Sequence, residues 1–296
     1  MAIAVLANAG DNIVSTMCLQ GGTASQFSFF LSRFGITTSF VNSDVPENID
    51  AAIDERTKAV FVESIGNPQY NIPDFQKIAD LAHAKGVPVI VDNTFGGAGY
   101  LIRPFEHGAD IVVHSATKWI GGHGNTIGGI VVDSGRFPWG EFSDRFPVLT
   151  HPSPGLHGLK LWDKYGPLTF LAAARILVLR DLGFCLNPFA GFLLIQGLET
   201  LSLRMQRHVD NAFEIARWLD SLPHVKWVLY PGLESHPCHQ LARKYLRNGY
   251  GAVLSFGLAG GVEATALFIN NLKLISHAAN LGDAKTVLIF ELKSDD

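Results

Sequence analysis

Two charged side chains stand beside apolar, strand-like runs in residues 87–124. Asp92 directly follows the first run, and Lys118 lies a few residues after the second. A lysine amine can form a Schiff base with an aldehyde, and a carboxylate can hold a ring nitrogen in its protonated state. Together the two residue types predict the chemistry of a pyridoxal phosphate (PLP) enzyme.

Each candidate residue also has an ordinary structural explanation. A lysine after a strand, such as Lys118, is most often solvent-exposed, and Asp92 in the sequence Asp-Asn-Thr suits a turn or helix cap. Ser115 and Thr117 could bind phosphate oxygens or only cap the turn. Asn67 could donate to the phenolic oxygen of a cofactor ring, although an asparagine before a proline is also a common turn signal. The residues alone leave these alternatives open.

Other binding motifs are incomplete. The stretch 97–99 reads Gly-Ala-Gly, but Ile102 stands where a dinucleotide-binding GxGxxG motif needs its third glycine, and no GxxxxGK[ST] loop occurs. Four histidines lack the spacing of metal ligands, so we interpret them as structural: His114, His123, His151 and His157. No metal is predicted.

Composition excludes several classes of protein. The chain has 296 residues, of which 47% are hydrophobic and 17% charged, with a net charge of -4. This composition suits a large buried core and argues against binding to nucleic acid or an anionic membrane. The three cysteines, an odd number, are widely spaced, which favours reduced thiols over a disulfide framework: Cys18, Cys185 and Cys238. With no signal-peptide pattern and no apolar run of about 18 residues, a cytoplasmic protein without a membrane span is expected.

Strand and helix patterns alternate through the first part of the chain. Strands are predicted at 11–16, 37–41, 59–63, 87–91, 111–113 and 128–132, with helices at 1–9, 23–34, 49–53 and 73–85 between them. Uniformly apolar strands at this spacing indicate a parallel sheet covered by helices. Because such sheets bind ligands beyond the carboxyl ends of their strands, Asn67, Asp92 and residues 115–118 should converge in one crevice.

The second part of the chain has a different pattern. Residues 137–166 are rich in Pro, Gly and aromatic residues and predict an irregular connection, followed by a helix at 170–182 and one long or broken helix at 189–219. Strands at 225–230 and 252–258 and helices at 238–246 and 262–271 then predict a smaller α+β unit. We therefore expect an α/β large domain over 1–222 and a small C-terminal domain over 223–296.

Three motifs together resemble one enzyme family. VDNTF (91–95), RPFEHGADIVVHSATKWIGGHG (103–124) and IGGIVV (127–132) closely resemble the Cys/Met-metabolism PLP-dependent enzymes, which have the fold-type I transferase architecture of a mostly parallel sheet flanked by helices. The resemblance covers nearly the whole chain. Its later segments, SPGLHGLKLWDKYGPLTF, LRDLGFCLNPFAGFLLIQGLETLSLR, YPGLESHP and LISHAANLGDAKT, look most like the O-acetylhomoserine sulfhydrylase branch.

The resemblance implies a role for each candidate. Lys118 would be the Schiff-base lysine and catalytic base, Asp92 would pair with the pyridine nitrogen, and Asn67 would bond the ring hydroxyl. Ser115 and Thr117 would bind the phosphate.

The resemblance also implies a reaction and an assembly. Asn280 stands at the family's position near the substrate carboxylate. The reaction would replace the γ-acetate of O-acetyl-L-homoserine by sulfide, a thiol or an amine, in methionine/cysteine metabolism or in a specialised-metabolite pathway. Family members usually form tetramers with active sites between subunits, so a homo-oligomer, tetramer or dimer, is expected.

The sequence departs from the family pattern in three places. Gln20 precedes the glycine pair where the family has a tyrosine that stacks on the cofactor, and glutamine can neither stack in that way nor act as a phenolic acid. The resemblance further implies a chain truncated at both ends, without part of the phosphate cup and without the arginine for the substrate carboxylate. We therefore expect low or no activity unless a partner chain supplies these parts. The alternatives are a degenerate PLP-binding paralogue, a truncated subunit of a larger assembly, and a gene model that is too short.

Overall fold

A six-stranded sheet forms the centre of the computed structural model, which describes residues 2–290. Met1, with which the first predicted helix begins, and residues 291–296 lie outside the described residues. The strand order is β2-β1-β3-β4-β5-β6, in which β1 to β5 are parallel and β6 runs antiparallel to β5. The strands are β1 (Asn12–Thr16), β2 (Thr37–Val41), β3 (Thr57–Glu63), β4 (Val89–Asp92), β5 (Ile111–Ser115) and β6 (Gly129–Asp133).

Both faces of the sheet are buried, which explains why its central strands are apolar throughout. In β1, Ile13 and Val14 are fully buried but belong to two different core clusters, and Ile90 and Val91 of β4 divide in the same way. Successive side chains of a strand point to opposite faces, so each face needs its own layer of helices. The mostly parallel α/β fold predicted from the sequence is the one observed.

Helices cover the two faces unequally. One face packs against α3 (Pro46–Ala52), α4 (Phe75–Ala84), α8 (Pro188–Glu199), α9 (Leu201–Asp220) and α10 (His239–Tyr245). The other packs against α1 (Ala2–Leu6), α5 (Pro147–Thr150), α6 (Leu161–Tyr165) and α7 (Thr169–Ala173). A further helical segment begins as α2 (Gly21–Ser25) and continues as π-helix Gln26–Phe30 and 3-10 helix Leu31–Phe34.

Several predicted elements differ from those observed. The predicted helix at 170–182 is α7 followed by π-helix Ala174–Arg180. Of the two alternatives predicted for 189–219, one long or one broken helix, the broken one is observed, with the break at Thr200 between α8 and α9. Residues 137–166 are not wholly irregular: they include α5, α6 and an aromatic cluster in which the fully buried ring of Trp139 stacks on Phe170. Burial of large rings lets a Pro- and Gly-rich connection form part of the core.

The C-terminal part contains its own small sheet. β7 (Val225–Leu229) pairs antiparallel with β8 (Ser255–Leu258), and α11 (Gly261–Asn270) packs beside it. The other short strands are β9 (Ser276–His277) and β10 (Val287–Leu288). Ala216 and Leu219 of α9 share a core with Val228 and Tyr230, so β7 and the residue that follows it pack on the last turns of α9. In residues 2–290, no helix is both long and apolar enough to span a membrane.

Candidate active site

Polar side chains meet at the carboxyl ends of three neighbouring strands. Glu63 ends β3 and pairs in register with Asp92, which ends β4. Asp92 in turn pairs in register with Val113 of β5, two residues before the segment that leads to Lys118. Since neighbouring parallel strands point their carboxyl ends to one edge, the three segments are brought together as the sequence predicts.

Thr94 links two of the predicted site residues. Its backbone N–H donates to the Oδ1 atom of Asp92 at 2.9 Å, and its Oγ1 atom accepts the backbone N–H of Ser115 at 2.8 Å. The first bond closes the turn after β4, and the second ties that turn to the end of β5. Thr94 is not among the predicted site residues, although an Asp-x-Thr turn after a strand is a local signal for such a bond.

Two carboxyl groups are held side by side at this edge. Burial raises the pKa of Asp92, and burial with the nearby Asp92 raises the pKa of Glu63 to about 8. The Oε1 atom of Glu63 accepts the backbone N–H of Gln20 at 2.7 Å, while its Oε2 atom is buried without a hydrogen-bond partner. Among residues 2–290, no cationic side chain contributes to the pKa of either carboxyl.

Lys118 faces an amide rather than a carboxylate. Its Nζ atom donates to the Oδ1 atom of Asn280 at 2.8 Å, and burial lowers the pKa of the half-buried amine. The Asn280 loop lies directly against the lysine, because a Cβ atom on Gly282 would come within 2.8 Å of the backbone carbon of Lys118. Ala284 also donates its N–H to the carbonyl oxygen of Gly122 at 2.9 Å. Partial burial therefore favours a lysine that can give up its proton.

The remaining predicted residues occupy the same edge with different partners. Ser115 is the half-buried last residue of β5. The Thr117 hydroxyl donates to the carbonyl oxygen of Gly128 at 3.2 Å and accepts its N–H at 3.1 Å, so it now joins the lysine turn to the start of β6. Asn67 is half-buried in the turn after β3.

Gln20, the departure noted in the sequence, has a structural role. Its Oε1 atom accepts the backbone N–H groups of Gly22 at 2.8 Å and Thr23 at 3.3 Å, which caps α2. Together with the bond to Glu63, this fixes the segment before α2 on the end of β3. The exposed Gln20 side chain therefore holds backbone and offers no aromatic face.

The donor set fits PLP. Asp92 supplies a buried carboxyl group that lacks a cationic partner and could pair with a protonated ring nitrogen, and Lys118 supplies an amine with a lowered pKa. In contrast, no group of three His, Cys, Asp or Glu side chains in the described part of the chain could hold a metal ion.

Comparison with known proteins agrees with this chemistry. Residues 1–294 match the family model described as Cys/Met metabolism PLP-dependent enzyme. Homocysteine synthase of Schizosaccharomyces pombe is 62% identical over 98% of this chain and 67% of its own length. O-acetyl-L-homoserine sulfhydrylase 1 of Thermus thermophilus is 53% identical over 98% of this chain and 68% of its own length. The chain thus spans about two thirds of these relatives.

A solved structure extends the comparison to the fold. A Campylobacter jejuni protein, whose crystal structure contains N'-pyridoxyl-lysine-5'-monophosphate, superposes with a TM-score of 0.93 at 36% identity. The match covers 97% of this chain and 71% of that protein.

Proposed function

The chain belongs to the Cys/Met metabolism PLP-dependent enzyme family, and we propose that it is a sulfhydrylase-like γ-replacement enzyme. Its substrate would be O-acetyl-L-homoserine. Relatives named homocysteine synthase and O-acetyl-L-homoserine sulfhydrylase, at 62% and 53% identity, carry this proposal. The arrangement of Asp92, Lys118 and Asn280 at one sheet edge supports it.

The proposed reaction exchanges one bond for another at the γ-carbon. The C–O bond to acetate breaks, a C–S bond to sulfide or a thiol forms, and acetate leaves with the bonding pair; an amine would give a C–N bond in the same way. Bound PLP supplies an aldehyde for covalent attachment and a ring that accepts electrons. The products with sulfide are homocysteine and acetate.

The protein's own residues have distinct proposed roles. Lys118 attaches the cofactor and, once displaced by the substrate amine, moves a proton at its Nζ atom; its lowered pKa supports this use. Asp92 holds the proton on the ring nitrogen. Ser115 and Thr117 bind phosphate, for which the Thr117 hydroxyl must exchange its present bonds to Gly128.

Two further side chains complete the proposed site. Asn67 bonds the ring hydroxyl, from the turn after β3. Asn280 binds near the substrate carboxylate, and its present bond to the Nζ atom of Lys118 places it beside the reacting amine.

A second candidate is a PLP-binding paralogue that has lost turnover and acts within a larger assembly. Gln20 favours it, because the side chain caps α2 and supplies no ring to stack on the cofactor. In this case the chain would still bind PLP through Lys118, but would release no acetate.

Turnover separates the two candidates. The full chain is incubated with PLP, O-acetyl-L-homoserine and sulfide, and homocysteine and acetate are both measured, with Lys118→Ala as the matched control. The enzyme proposal predicts equal amounts of both products from wild type and none from the variant. PLP bound by wild type without either product would instead support the paralogue.

We also propose a homo-oligomer, dimer or tetramer, in the cytoplasm. Four large apolar side chains are each more than half exposed within 182–192, in and before α8, which supports burial against another copy: Leu182, Phe184, Phe189 and Phe192. Analytical ultracentrifugation tests the oligomer, and a monomer at micromolar concentration would contradict it.

A further inference from the structure

An arginine on α9 binds the backbone directly after Lys118. The Nη1 atom of Arg204 donates to the carbonyl oxygen of Trp119 at 2.9 Å, and its Nη2 atom to that of Ile120 at 3.4 Å. Nη2 also donates to the carbonyl oxygen of Gly197 at 2.6 Å, and Nε to the hydroxyl of Thr200 at 3.1 Å. One guanidinium therefore joins the lysine turn to the junction of α8 and α9.

The partners of this cation are all uncharged. Arg204 is half-buried, and burial lowers its pKa, while no carboxylate contributes to that shift among the described residues. Four of its five N–H groups donate to oxygens of the protein, so at most one N–H of Nη1 is left and the paired contact of a guanidinium with a substrate carboxylate would require breaking these bonds. Its charge is instead directed at carbonyl dipoles, including that of Gly197 in the last turn of α8, where a cation is favourable.

The packing around these carbonyls leaves little room for movement. A Cβ atom on Gly197 would lie 2.3 Å from the carbonyl oxygens of both Ile120 and Gly121, so only glycine permits this approach of α8. On the same helix as Arg204, the ring of His208 packs edge-on against that of Trp119, with 5.3 Å between centroids. The lysine turn is thus held by α8 and α9 on one side and by the Asn280 loop on the other.

We propose that Arg204 is a positioning residue, which sets the direction of the Lys118 amine by fixing the two carbonyl groups that follow it. It touches no reacting atom and acts only through the backbone of residues 118–120. This inference rests on the proposed role of Lys118 as the cofactor lysine. Without the arginine, residues 118–120 lose the hydrogen bonds that hold the carbonyl groups of Trp119 and Ile120 in their direction.

A purely structural arginine would affect only stability, so the test measures the lysine itself. Wild type, Arg204→Gln, Arg204→Lys and Arg204→Ala are titrated with PLP, reduced with borohydride, and the fraction modified at Lys118 is found by peptide mass spectrometry. The pH midpoint of the visible band of the lysine-bound cofactor is measured in parallel, and urea unfolding of each cofactor-free chain reports stability. Arg207→Gln is the matched control, because Arg207 is exposed on the same helix.

Arg204→Gln should need about tenfold more PLP for half-modification, which corresponds to the loss of one charge-assisted hydrogen bond. Its pH midpoint should shift as well. Arg204→Lys should recover only part of the loss, since one ammonium cannot reach three carbonyl groups in the planar geometry of a guanidinium. Guanidinium ion, added to Arg204→Ala far below denaturing concentration, should restore part of the modification.

The controls separate failure of this inference from failure of the proposed function. If wild type does not trap PLP on Lys118, the proposed function fails. If wild type traps it and Arg204→Gln matches Arg207→Gln within twofold in both readouts, the positioning role is overturned. If neither Arg204→Gln nor Arg204→Ala folds, Arg204→Lys decides the question. A PLP titration and a pH midpoint equal to those of wild type would then overturn the proposal.

Discussion

Glu63 provides the sharpest test of the electrostatics at the sheet edge. The residue is 4% exposed, lies next to Asp92, and has a carboxyl pKa raised from 4.5 to about 8. Between these two pH values the folded chain holds a proton that the unfolded chain has lost. The stability associated with this proton is complete below about pH 4.5, and it falls as pH rises toward about 8.

Glu63→Gln removes this titration while keeping an oxygen that can accept the Gln20 N–H. Between about pH 4.5 and about pH 8, each unit of pH lowers the free energy of unfolding of the wild type by roughly 1.4 kcal/mol. Relative to the wild type, the variant should therefore become more stable by a few kcal/mol over this range. Urea unfolding of both cofactor-free chains at closely spaced pH values measures the difference. Glu199→Gln, at an exposed glutamate in α8, is the matched control for the change of side chain.

The trend with pH, rather than the stability at one pH, carries the argument. Any difference in packing between the buried amide of the variant and the carboxyl adds a cost that does not change with pH. If the difference in unfolding free energy between wild type and Glu63→Gln is flat from about pH 4.5 to about pH 8, Glu63 does not hold a proton there. The account of two uncompensated carboxyl groups would then be wrong.

Three further substitutions test other parts of the structure. The pKa of His83 is raised chiefly by its hydrogen bond to Asp110. The stability that this contact contributes is fully present below the ordinary histidine pKa and is lost as pH rises through the raised pKa of the folded chain. Because His83 is partly exposed, His83→Gln should lower the free energy of unfolding by at most about 1 kcal/mol, measured by urea unfolding on both sides of neutral pH. Trp139→Ala should cost about 3–5 kcal/mol in the same assay, since the ring is fully buried, and a loss below about 1 kcal/mol would contradict that packing. Gly197→Ala should weaken PLP trapping at least as much as Arg204→Gln, because its methyl group would displace the carbonyl of Ile120; unchanged trapping would show that the lysine turn tolerates the shift.

The sequence could predict the strand-end residues because their signal is local. Asp92 follows an apolar run and Lys118 follows the next, and a parallel sheet brings such ends together whatever the rest of the chain does. The shared edge of β3, β4 and β5 agrees with that expectation. Asn280 is different, because residue spacing does not predict a bond to a lysine 162 positions earlier. Only the family resemblance indicates a role for this asparagine.

The roles of Glu63 and Arg204 could not be predicted from the sequence, for a physical reason. The sequence places Glu63 at the end of a strand but does not show that its second oxygen is buried without a partner. In the sequence, Arg204 is one of several polar residues on a long amphipathic helix. Its role depends on the direction of the carbonyl groups of Trp119 and Ile120, to which it donates. Directions of backbone groups in turns are tertiary properties, which residue types and spacing do not encode.

Covalent trapping of PLP tests the central claim most directly. The full wild-type chain is incubated with PLP, reduced with borohydride and digested, and every lysine is examined by peptide mass spectrometry beside Lys118→Ala. The account predicts one modified lysine, Lys118, at close to one cofactor per chain, and no defined modification in the variant. Modification spread over exposed lysines, or the same visible band and stoichiometry in Lys118→Ala, would contradict it.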